Sequence, residues 1–316
     1  MAPERAKPAG AAPAAWVANR ERGSLPLLRF MTFVSLRLGR PASRLVLYGI
    51  AAYFFLFAPR ARRAMRCYLR RALGREPHVS DRFRQILSFA STIHDRLYLL
   101  NERFELFDID IDGVETIRRH CAEGAGVILM GAHLGSFEVT RAIGLRQQGL
   151  HVAMAMYEDN ARKINAMLAA VNPRLVPDII PLGTIDAMLR IRDRLEAGAC
   201  VGVLADRTLR SEPLERVEFL GSPAGFPVNA MKAAAMLRRP VVFMAGLYRG
   251  GNRYHVVFEE IADFRDTAAA ARPAAVRQAI ARYAALLERH CRSDPYNWFN
   301  FYDFWQAPPA GAGPLP

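Results

Sequence analysis

Between residues 126 and 291 the chain alternates short, mostly apolar runs with longer segments whose apolar residues recur at helical spacing. Apolar runs without polar alternation suit strands buried on both faces, and their alternation with helices selects a mostly parallel or mixed sheet covered on both sides. The expected strands cover 126–130 (GVILM), 151–156, 179–180, 199–204 (ACVGVL), 241–247 and 254–259. The last two flank Arg249-Gly250-Gly251-Asn252, a hairpin turn sequence. Helices are expected over 136–148, 161–171, 184–197 (closed by Gly198), 228–238 (ended before Pro240) and 273–291. Upstream, Phe83, Ile86, Leu87, Ala90, Ile93 and Leu97 place a helix over 81–100, and 104–111 (FELFDIDI) reads as a strand. The fold class is α/β, a single domain with a mixed, mostly parallel sheet flanked by helices and preceded by an N-terminal helical segment.

That N-terminal segment differs from the rest in charge. The net charge is +13, yet residues 1–75 hold 15 of the Lys and Arg residues against only Glu4 and Glu21, while residues 76–316 hold 28 basic and 28 acidic groups. With 52% apolar and 23% charged residues in 316, neither wholesale disorder nor a polytopic membrane protein fits. Residues 1–24 lack the apolar core of a secretory signal and read as a disordered leader. Two apolar runs follow, 27–38 and 45–58; the second is free of charge but at 1.5 Å per residue reaches only about 21 Å, against ~30 Å of hydrocarbon. Arg60, Arg62, Arg63, Arg66, Arg70, Arg71 and Arg75 come next. Aromatic and apolar residues flanked by arginine suit a helix at a membrane interface. Were it to span by tilting, the arginines would keep the body in the cytoplasm. The competing reading is a core helix followed by a solvated basic face. Nucleic-acid binding is disfavoured, because the arginines interleave with Phe-Phe-Leu-Phe and do not line a recognised module. The expected organisation is a leader over 1–24, a basic membrane-associated arm over 25–75, a catalytic-type domain over 76–305 and a flexible tail over 306–316. Cys67, Cys121, Cys200 and Cys291 have no metal-site spacing and read as reduced thiols, with a Cys121–Cys200 disulfide as the minor alternative.

The chemistry concentrates in Gly131-Ala132-His133-Leu134-Gly135-Ser136-Phe137-Glu138. His133 is expected in the loop beyond a buried strand, where α/β folds place their ligands. Ser136 reads as the cap of the next helix, and Glu138 falls in its first turn, where the helix dipole favours a carboxylate. An ionised Glu138 accepting the imidazole N–H would leave the other nitrogen as a general base. The bland alternative is a histidine capping a turn and a glutamate capping a helix; Ser136 as a nucleophile is a minor third. There is no G-x-S-x-G, Walker A or G-x-G-x-x-G sequence. Asp206-Arg207 follows another apolar strand, placing a guanidinium suited to phosphate or carbonyl oxygen at the same sheet edge, with Asp206 orienting it or merely pairing with it.

His133 and Glu138 match the H-x4-D/E pattern of glycerolipid-type acyltransferases, and GAHLGSFEVTRA resembles the version in bacterial lipid A late acyltransferases, the lauroyl/myristoyl transferase family. FFLFAPRARRAMRCYLRRAL is similar to that family's opening, VGVLADRTLR to its second block, and FLGSPAGFPVNAMKAAAMLRRPVV to the block that follows, so the resemblance covers roughly residues 27–305. It implies transfer of an acyl chain from a thioester, on acyl carrier protein or CoA, to a hydroxyl of a lipid A-type acceptor. His133 and Glu138 would be catalytic, Asp206, Arg207, Gly221, Pro223, Phe226 and Pro227 substrate-binding, with no metal and no cofactor. It also implies membrane lipids and acyl carrier protein as partners, and the cytoplasmic face of a bacterial inner membrane as the location. The further arginine of some family members is left unassigned, because the region after Asn160 departs from the pattern; Arg162 and Arg174 are unplaced. Two departures, VNAMKAAA where Gly-Pro is usual and the ending Asn297–Trp305 (NWFNFYDFW), leave open another lipid-linked acceptor, such as an amino lipid or a polyene lipid. A non-catalytic membrane adaptor with the same fold is the reading from outside the enzymes.

Overall fold

The computed structural model describes residues 25–124, 126–140, 152–157, 178–183, 186–207 and 212–305. The expected leader and tail, the helix over 161–171, most of the helix over 136–148, Arg162 and Arg174 lie outside the described residues.

Helix α1 (Leu25–Phe57) bends at Gly39, whose φ of 76° breaks the helical path two residues before Pro41. Helix α2 (Pro59–Leu73) carries the arginine run and ends at Gly74 in the left-handed region, and α3 (Val79–Leu99) is the amphipathic helix expected over 81–100. The expected strand over 104–111 divides into a 3-10 turn (Phe104–Leu106) and β1 (Asp108–Asp112). After α4 (Val114–Ala122), which the sequence pattern did not reveal, comes β2 (Ile128–Gly135), five residues longer at its carboxyl end than the apolar run alone suggests. There follow β3 (Val152–Tyr157), β4 (Ile179–Leu182), α5 (Ala187–Glu196), β5 (Cys200–Leu204), a hairpin of β6 (Leu214–Phe219) and β7 (Ser222–Pro227), and α6 (Asn229–Met236). The chain closes with the expected hairpin β8 (Pro240–Tyr248) and β9 (Arg253–Asp263), then α7 (Arg272–Ser293).

The main sheet has seven strands in the order β1-β9-β8-β2-β5-β3-β4. All neighbours are parallel except the β8–β9 hairpin, so the sheet is mixed and mostly parallel, with β2 between β5 and β8. Alternation along β2 sends Ile128, Met130, Ala132 and Leu134 into the larger core, with α2, α6 and α7, and Leu129 into a second core with the end of α3 and α4. Tyr68 and Leu69 of α2 are buried in that larger core, so the arginine-rich helix is packed onto the body.

The α1 helix is tied down by a buried polar network. Arg40 grips Asp95 of α3 with two hydrogen bonds (2.8 and 2.9 Å), Tyr254 donates to the same carboxylate (2.8 Å), and Ser43 Oγ lies 2.8 Å from His94 Nε2. Among the described residues no single helix is long and apolar enough to cross a membrane. Gly39–Phe57 and Pro59–Leu73, bent by 96°, together have the length and composition of a broken span or re-entrant loop.

Candidate active site

His133 lies within the end of β2, not in a loop beyond it, because Gly135 carries the strand on before the chain turns. Gly135 has φ 72°, its N–H donates to the Asn297 carbonyl (2.8 Å), and the next N–H, of Ser136, donates to the Gly246 carbonyl (2.7 Å). A Cβ at Gly135 would sit 2.0 Å from the Gly246 carbonyl oxygen, so only glycine permits this close crossing of β8. The helix begins at Phe137. Ser136, expected to cap it, does not: its hydroxyl is buried without a hydrogen-bond partner among the described residues, since its backbone is drawn into the sheet.

The imidazole is held by Asp206 and not, as the spacing suggested, by Glu138. Asp206 follows β5, the parallel neighbour of β2, and is fully buried. Its Oδ1 lies 2.8 Å from His133 Nδ1; its Oδ2 accepts from the His133 backbone N–H (3.0 Å), Trp298 Nε1 (3.0 Å) and Asn300 Nδ2 (2.9 Å). An ionised carboxylate only accepts, so the proton sits on Nδ1 and Nε2 keeps its lone pair. Burial alone would raise the Asp206 pKa, but the facing imidazole, its hydrogen bonds and Arg207 outweigh it and hold the carboxyl well below the usual range. For His133 burial lowers the pKa, with Arg207 acting in the same sense and Asp206 against. The ring still keeps 29% of its side chain exposed, so it reaches the surface at the carboxyl edge of the sheet.

Glu138 turns instead toward α3, its Oε1 2.8 Å from Arg96 Nε, because the first turn of the new helix faces that neighbour. Arg207, expected to be oriented by Asp206, donates from Nε to Asn300 Oδ1 (2.9 Å) and from its terminal nitrogen to the Phe299 carbonyl (3.2 Å). The block holding Gly221, Pro223, Phe226 and Pro227 forms the turn and second strand of the β6–β7 hairpin: Leu220 and Gly221, at φ 51° and 75°, form its two-residue turn. Gly221 and Pro223 are exposed there, whereas Phe226 is buried against Phe219, Tyr283 and Phe304, and Pro227 is buried beside it. The hairpin thus backs the site, and of the eight candidate residues only His133, Asp206 and Arg207 come together in one network.

The segment 297–300, the start of the NWFNFYDFW ending, completes the site. Phe299 N–H donates to the His133 carbonyl (2.7 Å), and Trp298 pairs with Leu134 as an antiparallel bridge, so the C-terminal strap lies along the catalytic end of β2. Trp298, fully buried, packs its ring against Tyr68 and Phe304, both centroids 4.9 Å away. The polar letters among the aromatics, Asn297 and Asn300, were the available signal.

A surface histidine fixed in one tautomer by a buried carboxylate, at the carboxyl edge of a mostly parallel sheet, gives the chain the form of an α/β protein equipped for proton transfer. Residues 27–307 match the sequence profile described as bacterial lipid A biosynthesis acyltransferase, and the chain belongs to that family. It is accordingly an acyltransferase of the lipid A biosynthesis kind. Compared with the curated proteins, the chain has no match.

Proposed function

We propose that the protein is an O-acyltransferase of the cytoplasmic face of a bacterial inner membrane, with His133 as general base. The observation that carries this reading is the His133 Nδ1–Asp206 Oδ1 hydrogen bond on a ring whose far nitrogen keeps its lone pair. Nε2 takes the proton of a lipid hydroxyl as its oxygen attacks the thioester carbonyl. The tetrahedral oxyanion then collapses, the C–S bond breaks, and the imidazolium returns its proton to the departing thiolate. Asp206 stabilises that imidazolium without itself taking the proton, and Arg207, steered by Asn300 and Phe299, meets an anionic oxygen of the substrate. No metal, cofactor or acyl-enzyme intermediate is required by this route. The acceptor is a lipid A-type hydroxyl, and the donor is an acyl thioester of acyl carrier protein or CoA.

Membrane association is supported by the outward face of α1, where Phe33, Leu45, Tyr48, Tyr53, Leu56 and Phe57 are all exposed, and by exposed Arg60, Arg63 and Arg70 on α2, bent away from it. Apolar and aromatic side chains beside arginines suit the interface of an anionic leaflet, and the same arginines suit an acidic carrier protein.

Mass spectrometry of acyl transfer tests the reading directly, offering acyl-carrier-protein and acyl-CoA donors to a bacterial lipid extract in micelles. A new lipid ester formed by the wild type and absent with His133→Ala is expected. Undiminished product from a folded His133→Ala protein would overturn the base assignment, and an ester on an amino lipid or polyene lipid would replace the acceptor.

A further inference from the structure

Asp206 and Arg207 are sequence neighbours of opposite charge, both at the edge of the sheet, yet the guanidinium Nε and one terminal nitrogen are taken by the strap. Asn300, 2% exposed, has both ends of its amide engaged: Nδ2 donates to Asp206 Oδ2 at 2.9 Å and Oδ1 accepts from Arg207 Nε at 2.9 Å. The same strap supplies an internal control. Asn297, equally buried, spends its amide on the backbone of Tyr248, accepting from its N–H (2.8 Å) and donating to its carbonyl (3.0 Å), which fixes the strap to β8.

We propose that Asn300 is a positioning residue for the transfer reaction, bridging Asp206 and Arg207 so that the carboxylate is directed at His133 while the guanidinium is held by a neutral amide. This rests on the reading of His133 and Asp206 as the base and its partner. The residue type follows from the chemistry. A carboxylate at this position would present an acceptor to an acceptor, and glutamine would overshoot by a methylene. An apolar side chain would remove one of the three donors on Oδ2 and release Arg207 Nε. An arginine fork beside a carboxylate readily forms a bidentate pair, as Arg40 and Asp95 do elsewhere in this molecule, and such a pair would compete with His133 for the carboxylate oxygens. Trp298 is the second part of the device, since its Nε1 donates to the same Oδ2 (3.0 Å) from a ring fixed by aromatic packing.

The test compares the full chain with Asn300→Ala, Asn297→Ala and Trp298→Phe, using the donor and acceptor pair that yields wild-type product. Asn300→Ala is expected to lower kcat by about 10–100-fold, the range for groups that orient a reacting side chain, with KM for the thioester little changed. With Arg207 still held by the Phe299 carbonyl, the loss of one donor makes Asp206 more basic, so the acidic limb of the rate profile moves to higher pH. In an Asp206→Asn background, Asn300→Ala is expected to cost much less, only what the lost steering of Arg207 accounts for, because its larger part acts through that carboxylate. Asn297→Ala is expected to lower the melting temperature and leave the limb in place. Should Asn300→Ala fold poorly, Trp298→Phe, which keeps a ring and removes the N–H, must shift the limb in the same direction. Wild-type kcat with an unmoved limb in folded Asn300→Ala, or an equal loss in the Asp206→Asn background, would overturn the proposal. If His133→Ala is inactive while Asn300→Ala is fully active, this inference alone falls. If His133→Ala is itself active, the reading beneath it falls.

Discussion

The molecule contains two buried carboxylates beside histidines, and they have been put to different uses. Asp95 is gripped by both ends of the Arg40 fork and by Tyr254, while its neighbour His94 is 3% exposed and faces Ser35 and Ser43 through Nε2. Asp206 is surrounded by neutral donors and one imidazole, and His133 keeps 29% of its side chain exposed. Both carboxyls are held below the ordinary range against the opposing effect of burial. The negative charge at Asp95 is already matched by an arginine, so the cluster binds α1 to α3 and the sheet edge. At Asp206 the charge is left to act on an imidazole with an accessible lone pair. A buried acid and histidine become a reactive pair through what else the acid accepts and what the ring's far nitrogen faces, not through proximity alone.

The sharpest way to break this comparison is to remove the reactive ring. His133→Gln is expected to cut transfer by about 10³–10⁴-fold, as loss of an oriented base does, with near-UV circular dichroism unchanged. The opposite pattern is expected at the other cluster. Arg40→Leu leaves Asp95 buried and uncompensated and should cost about 3–5 kcal/mol of stability, seen in denaturant unfolding, while transfer per folded molecule persists. Gly135→Ala combines a left-handed backbone with a methyl inside the Gly246 carbonyl, and a loss of about 2–4 kcal/mol is expected in the same assay. Glu138→Gln weakens the contact to Arg96, and its effect on kcat should be smaller than that of Asp206→Asn measured alongside. The smallest effect is on the pH profile. Because burial lowers the His133 pKa, the neutral base is present down to below the ordinary value of about 6.5. Activity should therefore already be on its plateau at neutral pH and fall on the acidic side, and a midpoint above that value would contradict the sign.

Much of the sheet was legible because its strands are continuous apolar runs, and the β8–β9 hairpin because its turn sequence is explicit. His133, Asp206 and Arg207 were legible as residues at strand ends. Their pairing was not, since 73 positions separate His133 from Asp206 and only the adjacency of β2 and β5, set by crossovers, brings them together. Glu138 looked the better partner because it is near in sequence, but the turn at Gly135 and the helix start at Phe137 send it to Arg96. Strand β7 was hidden by its composition, since the prolines and glycine of SPAGFP are rare in strands and are accommodated here in a two-stranded ribbon. Asn300 was submerged among aromatics whose packing explains their own presence but not that of the amide.

The most direct test measures single-turnover acyl transfer and thermal unfolding for Asp206→Asn and Asp95→Asn side by side, at a temperature where circular dichroism shows both folded. Asp206→Asn is expected to lose the transfer step by several orders of magnitude, because an amide can no longer hold the Nδ1–H tautomer of His133. Asp95→Asn is expected to unfold at a lower temperature and to transfer at close to the wild-type rate. Rapid transfer by folded Asp206→Asn, or loss of transfer by folded Asp95→Asn alone, would contradict the assignment of Asp206 as the partner of the base.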